Sequence, residues 1–259
     1  MPLEGKTIVT TGAASGIGKE TAAELKRQGA FVIAVDRQAV EDADDWRETD
    51  LADPASIRRL VDGLPTGIDG IANIAGLPPS APAADVIKVN LRGLQMFTQA
   101  TIPKLADHAS IVNIASSAGN GWPDSVDQIK EFESVGWDEI ESFTERHHMD
   151  EGGRSYFFSK EALIVWTMQN RWTWIDRGIR MNAVSPGPID TPILGDFIDT
   201  LGPRAQSSIN ATERVGRPDD IAPVVAFLMS DAAKWFRGAN LTPDGGLTSQ
   251  LLLQRHGLD

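Results

Sequence analysis

Short runs of apolar and β-branched residues alternate along the chain with longer segments whose apolar positions recur every three to four residues. The short runs predict strands, and the longer segments predict helices. The predicted strands are Lys6–Thr10, Ala30–Asp36, Glu48–Asp50, Ile68–Ile74, Ser110–Ala115, Ile179–Val184 and Ala239–Thr242. The predicted helices are Ile17–Gln28, Asp53–Leu64, Val86–Leu105, Arg154–Asp176 and Asp219–Ser230. Strands that alternate with helices need crossover connections, so the pattern predicts an α/β fold with one doubly wound parallel sheet and helices on both faces.

The segment 117–154 interrupts this alternation. It is far longer than the loops that usually join a strand to a helix, and its stretch Asp124–Glu151 carries ten acidic residues. Apolar residues recur at helical spacing on both sides of Gly136, which predicts two short amphipathic helices. We expect this helical insertion to act as a lid over a site or as an interface element, with a surface decoration as the alternative.

Composition narrows the possible functions. The chain has 259 residues, no cysteine and a formal charge of −12. The length suits a single domain spanning 1–259, and the missing cysteines exclude disulfides, thiolate nucleophiles and thiolate zinc sites. The acidic balance argues against a nucleic acid or an anionic membrane as partner. No apolar run is long enough to span a bilayer, and the first residues do not resemble a signal peptide, so a cytoplasmic protein is expected.

A glycine-rich turn, Thr11–Gly18, joins the first predicted strand to the first predicted helix. Glycines at such a turn let the backbone approach a pyrophosphate, which binds at the amino terminus of the following helix. Asp36 ends the next strand 18 positions after Gly18, near the spacing that a Rossmann-type dinucleotide site requires. Its carboxylate can accept hydrogen bonds from both ribose hydroxyls and repels a 2′-phosphate. The sequence therefore favours NAD over NADP, although Arg37 beside it can attract that phosphate.

Tyr156 and Lys160 stand four residues apart in a predicted helix, so both side chains lie on one face. Interconverting an alcohol and a carbonyl compound requires a group that moves a proton at the substrate oxygen. Free tyrosine has a pKa of about 10 and is a poor base at neutral pH, but a neighbouring cation favours the phenolate. Tyr156 is the single tyrosine in the chain, so no second tyrosine can serve.

Together these motifs resemble the short-chain dehydrogenase/reductase family, and the likeness continues through Asn73–Gly76, Pro186–Thr191 and Asp244–Gly246. The resemblance implies the catalytic residues Ser116, Tyr156, Lys160 and Asn90. It implies the cofactor-binding residues Gly12, Ser15, Gly16, Ile17, Gly18, Asp36, Arg37, Asp50, Leu51, Asn73, Ala75, Gly76, Tyr156, Lys160, Pro186, Gly187, Ile189 and Thr191.

In these implied roles Ser116 orients the substrate oxygen, with Ser117 as the alternative, and Asn90 positions a water chain that leads to Lys160. The implied chemistry uses no metal. We therefore expect His147 and His148 to lie on a solvated, charged face.

The insertion places Tyr156 40 residues after Ser116, whereas most family members place the tyrosine much closer. A similar insertion marks a subgroup that resembles 3α-hydroxysteroid dehydrogenase/carbonyl reductase and coniferyl-alcohol dehydrogenase. Because the insertion precedes a helix that commonly builds the main subunit contact, a homodimer is expected, with a homotetramer as the alternative.

Most residues expected around the substrate are apolar: Leu77, Pro78, Pro79, Trp122, Phe157, Pro188, Ile189, Ile193, Leu194 and Phe197. The loop-rich segment 191–211 is expected to close over the ligand. The apolar pocket predicts an apolar ring-bearing alcohol, and its ketone or other carbonyl form, as substrate and product. Together with the motifs above, this predicts an NAD-dependent oxidoreductase that interconverts the two and is similar to the hydroxysteroid enzymes. An aryl alcohol of coniferyl type is the alternative substrate, and an NAD-binding scaffold or sensor is the non-enzymatic alternative.

Overall fold

The computed structural model describes residues 3–258 and contains one sheet of seven parallel strands in the order β3-β2-β1-β4-β5-β6-β7. The strands are β1 (Thr7–Thr11), β2 (Phe31–Asp36), β3 (Asp45–Glu48), β4 (Ile68–Asn73), β5 (Leu105–Ile114), β6 (Arg180–Val184) and β7 (Asn240–Leu241). Every pair of neighbouring strands is parallel. The order reverses between β1 and β4, as in a doubly wound sheet, so the predicted Rossmann-type α/β fold is confirmed.

Eleven α-helices lie among the described residues. They are α1 (Gly16–Arg27), α2 (Pro54–Gly63), α3 (Ala83–Ile87), α4 (Leu94–Thr101), α5 (Val126–Glu133), α6 (Ile140–Arg146), α7 (Arg154–Gln169), α8 (Leu194–Leu201), α9 (Pro203–Asn210), α10 (Pro218–Met229) and α11 (Leu247–Arg255). A π-helical segment, Lys88–Gly93, joins α3 to α4. None of these helices is long and apolar enough to cross a bilayer.

Successive residues of the central strands enter two different buried clusters, one on each face of the sheet. Val9 and Ile71 belong to the cluster that includes residues of α2, α4 and α7, whereas Ile8 and Ala72 belong to the cluster that includes residues of α1 and α10. Because both faces are covered by helices, the central strands bury apolar residues on both faces.

Several predicted bounds are wrong. The third strand is Asp45–Glu48 because it pairs with Ile33–Asp36, while Asp50 turns the chain by accepting a hydrogen bond from the Ala52 amide. The predicted helix Val86–Leu105 begins earlier, at Ala83, and its α-helical part ends at Thr101.

Three further bounds differ. The predicted helix Arg154–Asp176 ends at Gln169, and two separate 3₁₀ turns follow before Gly178. The fifth strand begins at Leu105 rather than Ser110, with His108 at a φ of 66° near a register shift. The last strand is only Asn240–Leu241.

The insertion contains the two predicted helices, α5 and α6, on either side of Gly136. Phe132 and Phe143 each place their ring centroid 5.5 Å from that of Phe158 on α7. The Arg92 guanidinium donates to the carbonyl oxygens of Phe132 and Val135 at 2.9 and 2.8 Å. These residues join the main core, so the insertion is packed against the outer side of α7 rather than lying loosely on the surface.

Candidate active site

The carboxyl ends of β1, β2, β4, β5 and β6 open into one cleft of about 1230 Å³. Ligands of open α/β sheets bind at this edge, near the point where the strand order reverses. Pockets for drug-sized ligands occupy roughly 300–1,000 Å³. The cleft therefore has room for a dinucleotide together with a small substrate.

The turn after β1 has the close backbone packing that a dinucleotide loop needs. Gly12 has a φ of 70°, and a Cβ there would lie 2.8 Å from the Ala75 backbone. A Cβ on Gly18 would overlap the Gly12 carbonyl oxygen. The helix α1 begins at Gly16, and the side chain of its N-cap residue Ser15 makes no capping hydrogen bond. The first-turn amides therefore remain available to a phosphate, and Gly12, Ser15, Gly16, Ile17 and Gly18 fit the predicted pyrophosphate site.

Asp36 ends β2 and lines the cleft. Its Oδ2 accepts a hydrogen bond from the Ala14 amide at 3.0 Å, and its Oδ1 accepts one from the Gln38 amide at 2.9 Å. Both oxygens are thereby oriented, and a carboxylate retains further lone pairs for ligand hydroxyls. Arg37 is 60% exposed and approaches the Asp50 carboxylate at 3.9 Å. Because Arg37 has an acidic neighbour, its charge is partly balanced within the protein.

The remaining predicted cofactor contacts divide into two groups. Leu51, Ala75, Gly76, Pro186, Gly187, Ile189 and Thr191 line the cleft. Asn73 does not line it: its side chain is buried and donates hydrogen bonds to Thr98 and Asn113, both at 2.9 Å. The structure therefore places Asn73 behind the strand ends, where it ties β4 to α4 and β5.

Ser116 follows β5, and α7 carries Tyr156 and Lys160 one helical turn apart. Burial raises the pKa of Tyr156 to about 12, and the neighbouring Ser116 side chain lowers it and so offsets part of this rise. Lys160 Nζ donates to the Ile114 carbonyl at 2.8 Å and lies 5.5 Å from the Tyr156 ring centroid. Burial lowers the pKa of Lys160 to about 8. The three side chains predicted from separate parts of the sequence thus meet in one place.

Ser116 and Ser117 both line the cleft, but they have different partners. Ser116 lies close enough to Tyr156 to influence its pKa, and its Oγ accepts a hydrogen bond from the Ala118 amide at 3.2 Å. The Ser117 amide donates to the Pro186 carbonyl at 2.9 Å. The geometry therefore favours Ser116 as the residue that meets a substrate oxygen beside Tyr156.

Asn90 lies in the π-helical segment, is fully buried and does not line the cleft. Its Oδ1 accepts a hydrogen bond from the Leu77 amide at 2.7 Å, and its Nδ2 donates to the Leu77 carbonyl at 3.0 Å. This reciprocal pair fixes the chain that follows β4. The water chain implied by the family resemblance stays a prediction.

The wall around Tyr156 is mostly apolar, as predicted. Phe197 of α8 packs edge-on against the Tyr156 ring with centroids 4.7 Å apart. The expected lining residues found in the cleft are Leu77, Pro78, Phe157, Pro188, Ile189, Ile193, Leu194 and Phe197. Trp122 and Pro79 do not line it. Trp122 packs against the buried core, and Pro79 lies beside Gly153.

Two parts of the cleft were not predicted from the sequence. The segment expected to cover the ligand does form one side, although as the helices α8 and α9 rather than as a loop. The helix α11, which forms another side through Leu247, Thr248 and Leu251, was not expected. A charged residue, Glu161, also lines the cleft. The motif Asp244-Gly245-Gly246 directly before α11 is the only sequence signal near that helix.

The histidines of the insertion have other partners than a metal. His147 Nε2 lies 2.9 Å from Glu131 Oε2, and His148 is exposed. Within residues 3–258 no cluster of three or more histidine, aspartate or glutamate side chains is arranged to hold a metal ion.

Comparisons with known proteins agree with this geometry. A family model described as short chain dehydrogenase matches residues 6–126, and one described as Enoyl-(Acyl carrier protein) reductase matches residues 140–248. The chain is 39% identical to coniferyl-alcohol dehydrogenase of Pseudomonas sp. (strain HR199 / DSM 7063), over 96% of this chain and 99% of that protein. It is 28% identical to 3-alpha-hydroxysteroid dehydrogenase/carbonyl reductase of Comamonas testosteroni, over 93% of this chain and 95% of that protein.

Solved structures show the same likeness over nearly the whole chain. The 3-alpha-hydroxysteroid dehydrogenase from Pseudomonas sp. B-0831, complexed with NADH, superposes with a TM-score of 0.81 at 26% identity, covering 95% of this chain and 98% of that chain. A short chain dehydrogenase from Burkholderia cenocepacia J2315, in complex with NADP, gives a TM-score of 0.74 at 26% identity and covers 96% and 100% of the two chains. The motifs, the fold and these matches together show that the chain belongs to the short-chain dehydrogenase/reductase family of oxidoreductases.

Proposed function

We propose that this oxidoreductase uses NAD to interconvert an apolar ring-bearing alcohol and its carbonyl compound. The observation that carries the proposal is that Ser116, Tyr156 and Lys160 line one cleft, beside apolar residues and together with the dinucleotide loop, with Lys160 Nζ 5.5 Å from the Tyr156 ring centroid. Within this class, the 39% identity with coniferyl-alcohol dehydrogenase supports an aryl alcohol over a hydroxysteroid as the substrate.

The proposed reaction assigns one task to each side chain. Oxidation removes a proton from the substrate hydroxyl and a hydride from the carbon that bears it. NAD, when bound, supplies the hydride acceptor. Tyr156 Oη takes the proton, while the Ser116 hydroxyl holds the substrate oxygen by a hydrogen bond. In the reverse direction Tyr156 donates the proton.

The positive charge of Lys160 favours loss of the proton from the Tyr156 hydroxyl. The phenol of the free protein holds its proton because burial raises the pKa of Tyr156 to about 12. Oxidation requires the phenolate, which a neighbouring cation stabilises. Lys160 has a pKa of about 8 and is therefore mostly protonated at pH 7. It supplies this cation from one turn along the same helix.

A panel of alcohols tests the proposed activity. We expect the protein and NAD to produce NADH, followed at 340 nm, with cinnamyl-type and benzyl-type alcohols, and less rapidly with 3α-hydroxysteroids. The apolar wall excludes sugars because their hydroxyls would lose hydration without gaining partners. Absence of turnover across the panel would contradict the proposal and favour an NAD-binding scaffold.

Asp36 supports NAD as the cofactor. We expect kcat/KM for NAD to exceed that for NADP by about tenfold or more, because a 2′-phosphate beside this carboxylate is repelled. Replacing Asp36 with Asn keeps the shape and removes the charge, so this ratio should fall at least about tenfold. The matched control is Glu48→Gln, which removes a carboxylate from the paired position on β3 that does not line the cleft. A wild-type preference for NADP would contradict the assignment.

The proposed assembly is a homodimer. The insertion covers the outer side of α7 through Phe132 and Phe143, which pack on Phe158. A second copy of the chain therefore does not reach that side of α7 directly. Light scattering in solution tests this inference, and the mass of a tetramer would contradict it.

A further inference from the structure

Glu161 is a buried carboxylate that the reaction described above does not use. It follows Lys160 on α7, and its side chain is only 7% exposed. Its Oε2 accepts a hydrogen bond from Arg154 Nη1 at 2.8 Å. Burying a carboxylate is costly unless it is paired and hydrogen-bonded. Arg154 meets part of this cost, and it is itself fixed by hydrogen bonds to Ser125 and Gln128.

The second oxygen of Glu161 has no such partner. Oε1 accepts no hydrogen bond from any group of residues 3–258. A Cβ on Gly121 would lie 3.0 Å from this oxygen. The absence of a side chain at Gly121 therefore leaves the approach to Oε1 open. An acceptor that is held in place and unpartnered suits a donor group that arrives with a ligand.

The cleft connects this oxygen to the reacting centre. Tyr156, Phe157 and Glu161 all line it, and Phe157 lies between the other two around the circumference of α7. Glu161 is five residues beyond Tyr156, which is about 7.5 Å along the helix axis. A second, smaller cavity shares Phe157, Glu161 and Arg204 with the cleft, so the space continues past Glu161. An elongated molecule can thus contact both residues.

We propose that Glu161 Oε1 accepts a hydrogen bond from a phenolic hydroxyl at the end of the substrate remote from the reacting carbon. An extended aryl alcohol carries its alcohol group and its para substituent at opposite ends of a flat apolar frame. The alcohol group lies at Ser116 and Tyr156, the ring passes Phe157, and the para hydroxyl reaches Glu161. This inference rests on the proposed function and narrows its substrate to 4-hydroxylated aryl alcohols.

Three substrates measured with NAD test the proposal: cinnamyl alcohol, 4-hydroxycinnamyl alcohol and 4-methoxycinnamyl alcohol. We expect the wild-type protein to prefer the 4-hydroxy compound over the other two by about tenfold or more in kcat/KM, because a hydrogen bond to a charged acceptor is among the stronger ones. The methoxy compound has an oxygen of similar position and no hydrogen to donate. It should therefore gain nothing from Glu161.

Glu161→Gln is the test variant, since it preserves the shape and removes the charged acceptor. We expect the preference for the hydroxy compound to fall to about threefold or less, with kcat/KM for cinnamyl alcohol nearly unchanged. The control is Arg154→Gln, which breaks the ion pair but leaves the carboxylate. It should lower Tm and weaken the preference by less than Glu161→Gln does, since it removes the group that orients the carboxylate but keeps the acceptor itself.

The outcomes distinguish a failure of the inference about Glu161 from a failure of the proposed aryl-alcohol activity. If Glu161→Gln weakens all three substrates equally, or if the wild-type protein does not prefer the hydroxy compound, Glu161 only pairs with Arg154 and the inference is overturned. Turnover of other alcohols by a protein inactive on all three compounds would overturn the aryl assignment together with the inference. A larger loss of discrimination in Glu161→Gln than in Arg154→Gln supports it.

Discussion

A Tyr156→Phe variant is expected to lose about 10³-fold or more in kcat while it still binds NADH. The variant lacks the one hydroxyl that can move a proton at the substrate oxygen, and general acid–base catalysis contributes about 10²–10⁴-fold. The ring and its edge-on packing with Phe197 remain, so the shape of the cleft is kept. Turnover at saturating substrate measures the loss, and titration with NADH by fluorescence measures cofactor binding.

The composition makes this result easy to interpret. Tyr156 is the only tyrosine of the chain, and the cleft lining among residues 3–258 includes no histidine. No nearby side chain of either type can therefore replace the lost hydroxyl. A variant that kept more than about a tenth of the wild-type kcat would show that the proton moves by another route. Ser116→Ala is the companion variant, and it should reduce kcat while leaving a proton donor in place.

The sequence predicts the parts of this site that depend on local spacing. The glycines after β1, Asp36 at the end of β2 and the pair Tyr156 and Lys160 each occupy a short stretch whose geometry is set by one turn or one helix. Parallel strands then bring these stretches to one edge of the sheet because their carboxyl ends align. The five predicted helical segments, which include α1, α2, α4, α7 and α10, and the two insertion helices were predictable for a related reason, since each buries apolar residues that recur at helical spacing.

Three helices of the cleft were not predictable in this way. No residue of α8 or α9 is buried, and in α11 only Leu247 is. In α8 the apolar residues Leu194, Phe197, Ile198 and Leu201 do recur at helical spacing, but Leu194, Phe197 and Leu201 line the cleft, so this stripe is not buried in a core. The bounds of the third strand were mispredicted for a comparable reason. It is a short edge strand with no fully buried residue, and its register depends on pairing with β2.

Glu161 and Trp122 show what only the tertiary structure determines. A glutamate in a helix usually lies in water, and here it is buried because Arg154 and Gly121 are brought beside it. Trp122 is near Ser116 in sequence, yet the insertion directs its side chain to the core. Neither outcome follows from spacing along the chain, because each depends on a segment that folds back over α7.

Replacing Lys160 with Met should lower kcat by about 10²-fold or more and at the same time stabilise the fold at pH 7. The activity falls because the phenolate of Tyr156 loses its cation. The stability rises because burial lowers the pKa of Lys160 from 10.5 to about 8, so folding penalises the charged form. This shift corresponds to about 3 kcal/mol. Loss of the hydrogen bond to the Ile114 carbonyl opposes it by about 1–3 kcal/mol.

The dependence of stability on pH separates the burial penalty of Lys160 from the loss of its hydrogen bond. The folded pKa of Lys160 is depressed, so the penalty is fully present below about pH 8 and disappears as pH rises towards 10.5. The difference in the free energy of unfolding between Lys160→Met and wild type should therefore shrink by about 2 kcal/mol between pH 7 and pH 10. The ammonium donates the hydrogen bond to Ile114 more strongly than the neutral amine does, so the loss of this bond opposes the change rather than causing it. Urea unfolding at a series of pH values measures this change.

The exposed Lys234 provides the matched control. Lys234→Met removes a lysine whose side chain is exposed, so it tests whether the pH-dependent change requires burial of the lysine. If the difference in the free energy of unfolding between Lys160→Met and wild type were the same at both pH values, the Lys160 ammonium would be solvated in the folded protein. If the difference changes with pH, Lys160 destabilises the fold and is also needed for turnover. Its stabilisation of the Tyr156 phenolate then explains why the protein carries a buried lysine at the expense of stability.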